Sequence, residues 1–403
     1  MTARTSKVAQ AEVPATYMRG GTSKGVFFNT RQLPSALLAN PAARDHFLLR
    51  VIGSPDRYGK HTDGMGGATS STSKVVLVGK SERPDCDVDY LFGAVAIEEP
   101  VVDWSGNCGN LSAAVGPFAI SEGMVDAPHD GMALVRIWQA NIGKRIVAHV
   151  PMNAGRVVET GDFELDGVAF PGAGIRLDFL DPAGGDGSRP DALFPTGRLR
   201  EVIDVPGFPP VEVTLLNAGN PTVFVAAADL GLQGIEVQRD VNADAPLLEK
   251  LERFRGHAAV RMGLARTPED ATALRPATPK LLWVAPPAPY EAAGGKRIAA
   301  GDVNLVVRIL SMGKLHHAMT GTGAVAIAVA ALVPGTVVSR IAPAGSDGRI
   351  RFGHASGVLD VGAQARQEAD GAWRIDQVSM IRSARRLMVG RVCVPAGSVD
   401  GSS

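Results

Sequence analysis

Two side chains have the type and setting for proton transfer, Cys108 and Lys74. Cys108 sits in Trp104-Ser105-Gly106-Asn107-Cys108-Gly109-Asn110, and an apolar run to Ile120 follows. Glycines frame a loop there, and the apolar run predicts a buried helix. The backbone N–H groups of Gly109, Asn110 and Leu111 would then stand free at the helix start. Such a start carries a partial positive charge, holds carboxylates, and stabilises a thiolate. Cys108 therefore has two readings, an acid/base beside an anion cradle or an inert cysteine in a tight turn. Lys74 closes a loop, Thr62 to Lys74, that is rich in glycine and hydroxyl side chains, and Val75-Val76-Leu77-Val78 follows it. A loop of that composition packs poorly but can wrap a polar ligand. If the strand end lies in a cleft, burial would bring the Lys74 amine toward neutrality and make it a base. On an open surface it would be a solvated charge.

The elements that must position these groups repeat. Thr320-Gly321-Thr322-Gly323 opens a second apolar run, Ala324 to Val333, which Pro334-Gly335 stops. The two glycine-led helices lie about half a chain apart, which points to internal duplication. Thr16 to Phe28 predicts strand, Gly/Thr/Ser bend, strand, and Val211 to Ala227 repeats it around Asn217 to Thr222. Ser35 to Ile52 and Ala245 to Met262 have helical spacing. Further strands are predicted at Asp87 to Ile97, Met132 to Trp138, Ile146 to Val150, Ile175 to Leu180, Leu281 to Val284, Val303 to Leu310 and across Ile350 to Val394. A hairpin is predicted around Asp166-Gly167, a linker over 181–197, a break or kink at Gly116-Pro117, and loose tails at 1–13 and 397–403. A helix apolar all round must be surrounded. The expected class is α+β, with two pseudo-symmetric domains, each a curled mixed sheet wrapped around a central helix. Regular strand-helix alternation and an early GxGxxG are missing, which disfavours a doubly wound sheet.

At 403 residues two domains are the expectation. Lys+Arg and Asp+Glu balance at 41 each, so no global field draws the chain to nucleic acid or an anionic membrane. Cys86, Cys108 and Cys393 are widely spaced, with no CxxC pair, which argues against zinc and for a reducing compartment. His316 and His317 are adjacent, so their side chains are expected to point apart, and no third metal ligand has suitable spacing. The N-terminal stretch has no apolar segment of signal-peptide type, and the longest apolar run is too short for a bilayer. A cytoplasmic protein is expected.

Met18-Arg19-Gly20-Gly21-Thr22-Ser23-Lys24-Gly25 together with Trp104 to Asn110 resembles the PrpF-like 2-methylaconitate cis-trans isomerases, of the diaminopimelate epimerase-like fold. Asp63 to Lys74, Asn217 to Val225 and Ser311 to His317 extend the resemblance. It implies one domain of residues 1–172 plus 384–403 and another of 173–383, with the site between them. It places Lys74 and Cys108 at catalytic positions. Wider relatives of that fold carry two facing cysteines, but here the second position is Thr320, whose hydroxyl is too weak an acid to replace a thiol. The implied substrate is an unsaturated tricarboxylate of the 2-methylcitrate route of propionate breakdown, isomerised by removing and returning an allylic proton, with no cofactor. Implied contacts are Arg19, Thr22, Ser23, Gly66, Gly67, Ala68, Thr69, Ser70, Asn107, Gly109, Asn110, Asn217, Lys280, Ser311, His316, Gly321 and Thr322. A 4-oxalomesaconate-type tautomerase and a non-catalytic accessory of an aconitase-like hydratase are the alternatives. A homo-oligomer is compatible with either.

Overall fold

The computed structural model describes residues 10–183 and 193–400. The first half runs β1 (Gln10–Gly20), β2 (Ser23–Asn29), α1 (Pro41–Ile52), β3 (Lys74–Lys80), β4 (Val88–Val95) and α2 (Ser112–Ser121). The second half repeats the order as β5 (Val211–Ala218), β6 (Asn220–Ala226), α3 (Ala245–Arg261), β7 (Lys280–Ala285), β8 (Leu305–Ser311) and α4 (Gly321–Leu332). Pairing repeats as well. β1 and β2 are antiparallel, β2 and β3 parallel, and β3 and β4 antiparallel. β5 to β8 follow the same scheme. The two registers align the halves: Val26 lies opposite Val75 and Thr222 opposite Lys280. Lys74 and Lys280 are thus equivalent first residues of equivalent strands.

Each half covers its sheet on both faces, which is why β3 is apolar over 75–79 and β7 over 281–285. Phe27 packs on Phe118 of α2, with ring centroids 5.4 Å apart, and its neighbour Phe28 packs on Phe47 of α1 at 5.5 Å. In β7, Leu282 and Val284 join the core around α4, while Leu281 and Trp283 join the core around α3 with Leu251 and Phe254. Every residue of α4 up to Ala331 is buried. α1 and α3 show one buried stripe each, as outer helices should.

The last long strand, β9 (Trp373–Pro395), joins the halves. Residues 384–395 pair with β1, and residues 377–383 pair with Gly174–Leu180. Eighteen strands are linked in this way among the described residues. We propose that the domains divide as 1–172 plus 384–403 and 173–383, with β9 crossing between them.

Five local expectations change. The hairpin at Asp166-Gly167 is a turn with one bridge, Phe163 to Gly172. Asp166 is held by the other half instead, accepting from the Val358 N–H at 2.7 Å and from Lys296 at 2.7 Å. The N-terminal tail is strand from Gln10 onward, because β9 pairs with it. The C-terminal tail forms a short helix, Gly397–Asp400. Ser35 to Ile52 is two helices, since Asn40 caps the second and Pro41 begins it. α2 runs through Pro117. The predicted linker falls partly on 184–192, outside the described residues.

Candidate active site

The two apolar helices meet start to start. A methyl added at Gly109 would stand 2.9 Å from the Gly321 Cα, and one at Gly321 would stand 2.7 Å from the Asn110 nitrogen. Only glycine at both positions lets the backbones come this close. Thr320 caps α4, its hydroxyl oxygen accepting from the Gly323 N–H at 3.0 Å. Ahead of α2 stands Cys108, whose sulfur faces the Leu111 N–H at 3.5 Å and whose carbonyl accepts from Ser112 N–H at 3.0 Å. Tyr90 OH donates to the same carbonyl at 3.2 Å. The duplicated helix starts therefore face each other with unlike side chains, a thiol and a hydroxyl.

The two lysines reach this junction from opposite halves. Lys74 Nζ donates to Ser23 Oγ at 3.0 Å and lies 3.2 Å from Cys108 Sγ. Lys280 Nζ donates to Ser311 Oγ at 3.1 Å. All five of these side chains are buried. Burying an ammonium without a counter-charge is costly, yet the partners here are two hydroxyls and a thiol. Burial, and then the charge of Lys74, push Lys280 down to about 7. His316 is buried beside them, with Nδ1 accepting from the Ala318 N–H at 3.1 Å. Burial, then His317 and Lys74, hold His316 well below the usual histidine range, so its ring is neutral. His316 Nε2 and both polar atoms of the Asn107 side chain are buried with no protein partner among the described residues. Such orphans call for a ligand or water.

The halves are clasped beside this cluster. Asn220 accepts from the Asn107 N–H at 2.8 Å, donates to the Asn107 carbonyl at 3.0 Å, and donates to Thr322 Oγ1 at 3.1 Å. By register Asn220 occupies in β6 the place of Ser23 in β2. Asp103 adds a second clasp, accepting from the Ser105 N–H and from the Ala277 N–H across the junction, both at 2.7 Å.

Of the residues predicted from sequence, Lys74, Cys108, Ser23, Asn107, Gly109, Lys280, Ser311, His316, Gly321 and Thr322 converge here. Asn110 is at the junction, but its amide is committed to Thr22 Oγ1 at 2.9 Å, the Met319 carbonyl at 3.1 Å and the buried Arg382 at 3.1 Å. Thr22 serves the same bond. Arg19 turns away, donating to the Gly21 carbonyl at 3.0 Å and the Ser383 carbonyl at 2.9 Å. The loop holding Gly66, Gly67, Ala68, Thr69 and Ser70 is tied to itself and to the buried His61. Ala68 N–H reaches His61 Nδ1 at 3.3 Å and Thr69 Oγ1 reaches Thr72 Oγ1 at 2.7 Å. Asn217 lies half-buried on the other side of its turn, and Asn220 is the residue that enters the junction. Residue type and turn composition flagged that stretch, but not which side of the turn faces inward. His316 and His317 do not point apart. Their rings stack at 4.8 Å and 23°, because the chain bends after β8 and His316 bonds two residues ahead. Among the described residues no three His, Cys, Asp or Glu side chains converge as metal ligands.

The PrpF protein family matches residues 10–395. The chain is 57% identical over 389 residues to the 2-methyl-aconitate isomerase of Shewanella oneidensis, covering 96% of this chain and 98% of that protein. It is 56% identical over 391 residues to the 2-methyl-aconitate isomerase of Cupriavidus necator, with the same coverage of 96% and 98%. The crystal structure of a methylitaconate-delta-isomerase superposes with a TM-score of 0.75 at 37% identity, covering 97% of each chain. A probable proline racemase of Agrobacterium radiobacter superposes with a TM-score of 0.54 at 13% identity over 96% of this chain and 98% of that one, which shows a shared epimerase-like fold. With duplicated halves, facing helix starts and a family match that spans both, the chain belongs to the PrpF family.

Proposed function

We propose that this protein is a cofactor-independent isomerase of an unsaturated tricarboxylate, with 2-methylaconitate as substrate. The observation that carries the proposal is the pair of buried lysines, one from each half, converging on two facing helix starts with hydroxyls rather than carboxylates as partners. That arrangement is built for a multiply charged anion. Lysine charge and free helix-start N–H groups bind carboxylates in a desolvated site. Asn107 and His316 supply further polar contacts.

Lys74 removes a proton from the carbon allylic to the double bond. The electron pair enters the conjugated carboxylate, which the positive groups stabilise as charge develops. The former double bond now rotates, and a proton returned to carbon restores it in the other geometry. Cys108, touching the Lys74 amine, lines the reacting face. The setting is the 2-methylcitrate route of propionate breakdown, in the cytoplasm, in functional pairing with an aconitase-like hydratase. Among the described residues no helix is long and apolar enough to cross a membrane.

The test is purified protein incubated separately with 2-methylaconitate and with 4-oxalomesaconate, followed by ultraviolet absorbance. Turnover of the first acid supports the proposal. Turnover of the second alone would replace it with a tautomerase. If Lys74→Ala and Cys108→Ala both left full activity in an assay coupled to the hydratase, the protein would be a non-catalytic accessory.

A further inference from the structure

The duplication gives each buried polar side chain a counterpart in the other half. Four residues beyond Lys74 and Lys280 stand Val78 and Val284, which the strands pair with Tyr90 on β4 and Val307 on β8. Four residues beyond Cys108 and Thr320 stand Ser112 and Ala324. Tyr90, Ser112, Val307 and Ala324 are all fully buried. In the second half apolar side chains satisfy the scaffold at both places. The first half carries two hydroxyls there, and hydroxyls are costly to bury unless they are hydrogen-bonded. Both bond to one atom. The Cys108 carbonyl oxygen accepts from Tyr90 OH at 3.2 Å, from Ser112 Oγ at 3.1 Å and from the Ser112 N–H at 3.0 Å. The Thr320 carbonyl oxygen accepts from the Ala324 N–H alone among the described residues, at 3.0 Å.

A carbonyl oxygen has two lone pairs, so three donors saturate it and fix its direction. The Cys108–Gly109 bond is not among the cis peptides. With its carbonyl drawn toward Tyr90, the Gly109 N–H of the same plane points the opposite way. That N–H has no partner among the described residues. The hold matters here because glycine follows, and glycine opposes rotation of this peptide less than any other residue. A peptide turned over would present a carbonyl oxygen to an anion in place of an N–H. No side chain caps α2, whereas at α4 the Thr320 hydroxyl fastens the first turn through the Gly323 N–H. Burial, and then Cys108, push the Tyr90 phenol well above its ordinary range, so it stays protonated and able to donate.

We propose that Tyr90 and Ser112 are positioning residues that act through the Cys108 carbonyl, holding the Cys108–Gly109 peptide so that the Gly109 N–H meets a substrate carboxylate. This deepens the isomerase reading above and rests on it. A donor held in advance stabilises the charge that enters the carboxylate as the allylic proton leaves, with no reorganisation at that moment. The two hydroxyls stand only in the half that carries the thiol, because the other helix start is fastened by its own threonine.

Cys108–Gly109 is the one cysteine-glycine step in the chain. Protein made with carbonyl-13C cysteine and 15N-glycine therefore gives one amide resonance from this peptide. The probe is propane-1,2,3-tricarboxylate, which has no double bond and no allylic proton. In the wild type the resonance should shift as the probe is added. The variants are Tyr90→Phe, Ser112→Ala and the two combined, each checked by thermal melting. Tyr90→Phe keeps the ring and Ser112→Ala copies the counterpart Ala324, so both should fold. In the combined variant the resonance should start elsewhere and respond less to the probe. With 2-methylaconitate, kcat/KM should fall about 10-fold in each single variant and about 10²- to 10³-fold in the combined one. Side chains that only pack would lower the melting temperature and leave kcat/KM near wild type, and that result would overturn the proposal. So would a wild-type resonance that stays in place at high probe concentration, whether or not calorimetry detects binding. A resonance that shifts in a wild type unable to turn over 2-methylaconitate would overturn the isomerase reading and leave the hold on the peptide standing.

Discussion

Lys74 touches both Ser23 and Cys108, at 3.0 and 3.2 Å, so its role separates from that of the thiol by substitution. Lys74→Arg keeps a cationic side chain but cannot serve as a neutral base. Steady-state kinetics should show a loss of about 10²- to 10⁴-fold in kcat with an unchanged melting temperature. Cys108→Ser keeps a small polar side chain at the helix start, and it should retain measurable turnover if the thiol lines the site. Near-normal kcat in Lys74→Arg, with none in Cys108→Ser, would make Cys108 the base. Both residues were legible in the sequence because glycine and hydroxyl neighbours mark them off from ordinary core positions. Asn220 was not legible as distinct from Asn217. The two share one turn, and the inward side is set by the pairing of β5 with β6, which composition does not encode.

At the scale of elements, the site depends on how closely α2 and α4 approach. A methyl at Gly321 would lie within 2.7 Å of Gly109 and Asn110 backbone atoms, which no rotamer change relieves. Gly321→Ala should therefore separate the helix starts, cost about 1–3 kcal/mol in a denaturant melt, and lower kcat/KM by about 10²-fold. Loss of stability without loss of activity would show that the facing starts are structural only. The helices themselves were readable, since a glycine-led run with no polar face must be both capped and surrounded. The turn at Asp166 was not readable as a tether. Asp-Gly between short apolar stretches has the local signature of a hairpin, and only contacts with Lys296 and Val358 far along the chain decide against it.

For the whole molecule, duplication explains both the symmetry of the scaffold and the asymmetry of the site. Equivalent strands deliver Lys74 and Lys280, and unlike turns ahead of the two helices deliver Cys108 and Thr320. The halves are held in register by Asn220, whose two buried hydrogen bonds to the Asn107 backbone span the junction. Asn220→Ala leaves the Asn107 backbone groups unpaired, and should cost about 1–3 kcal/mol while raising KM more than it lowers kcat. A KM that stays unchanged would mean that the halves are held by other contacts. Duplication was visible as two similar helix starts half a chain apart. The resemblance placed the site between the halves, and the two helix starts meet there.

The central claim is allylic proton transfer on an unsaturated tricarboxylate, and proton NMR of the wild type with one geometric isomer of 2-methylaconitate in D2O tests it most directly. The account predicts growth of the other isomer together with loss of the allylic proton signal, both abolished in Lys74→Arg. Interconversion with the allylic signal intact, or no interconversion at all, would contradict it.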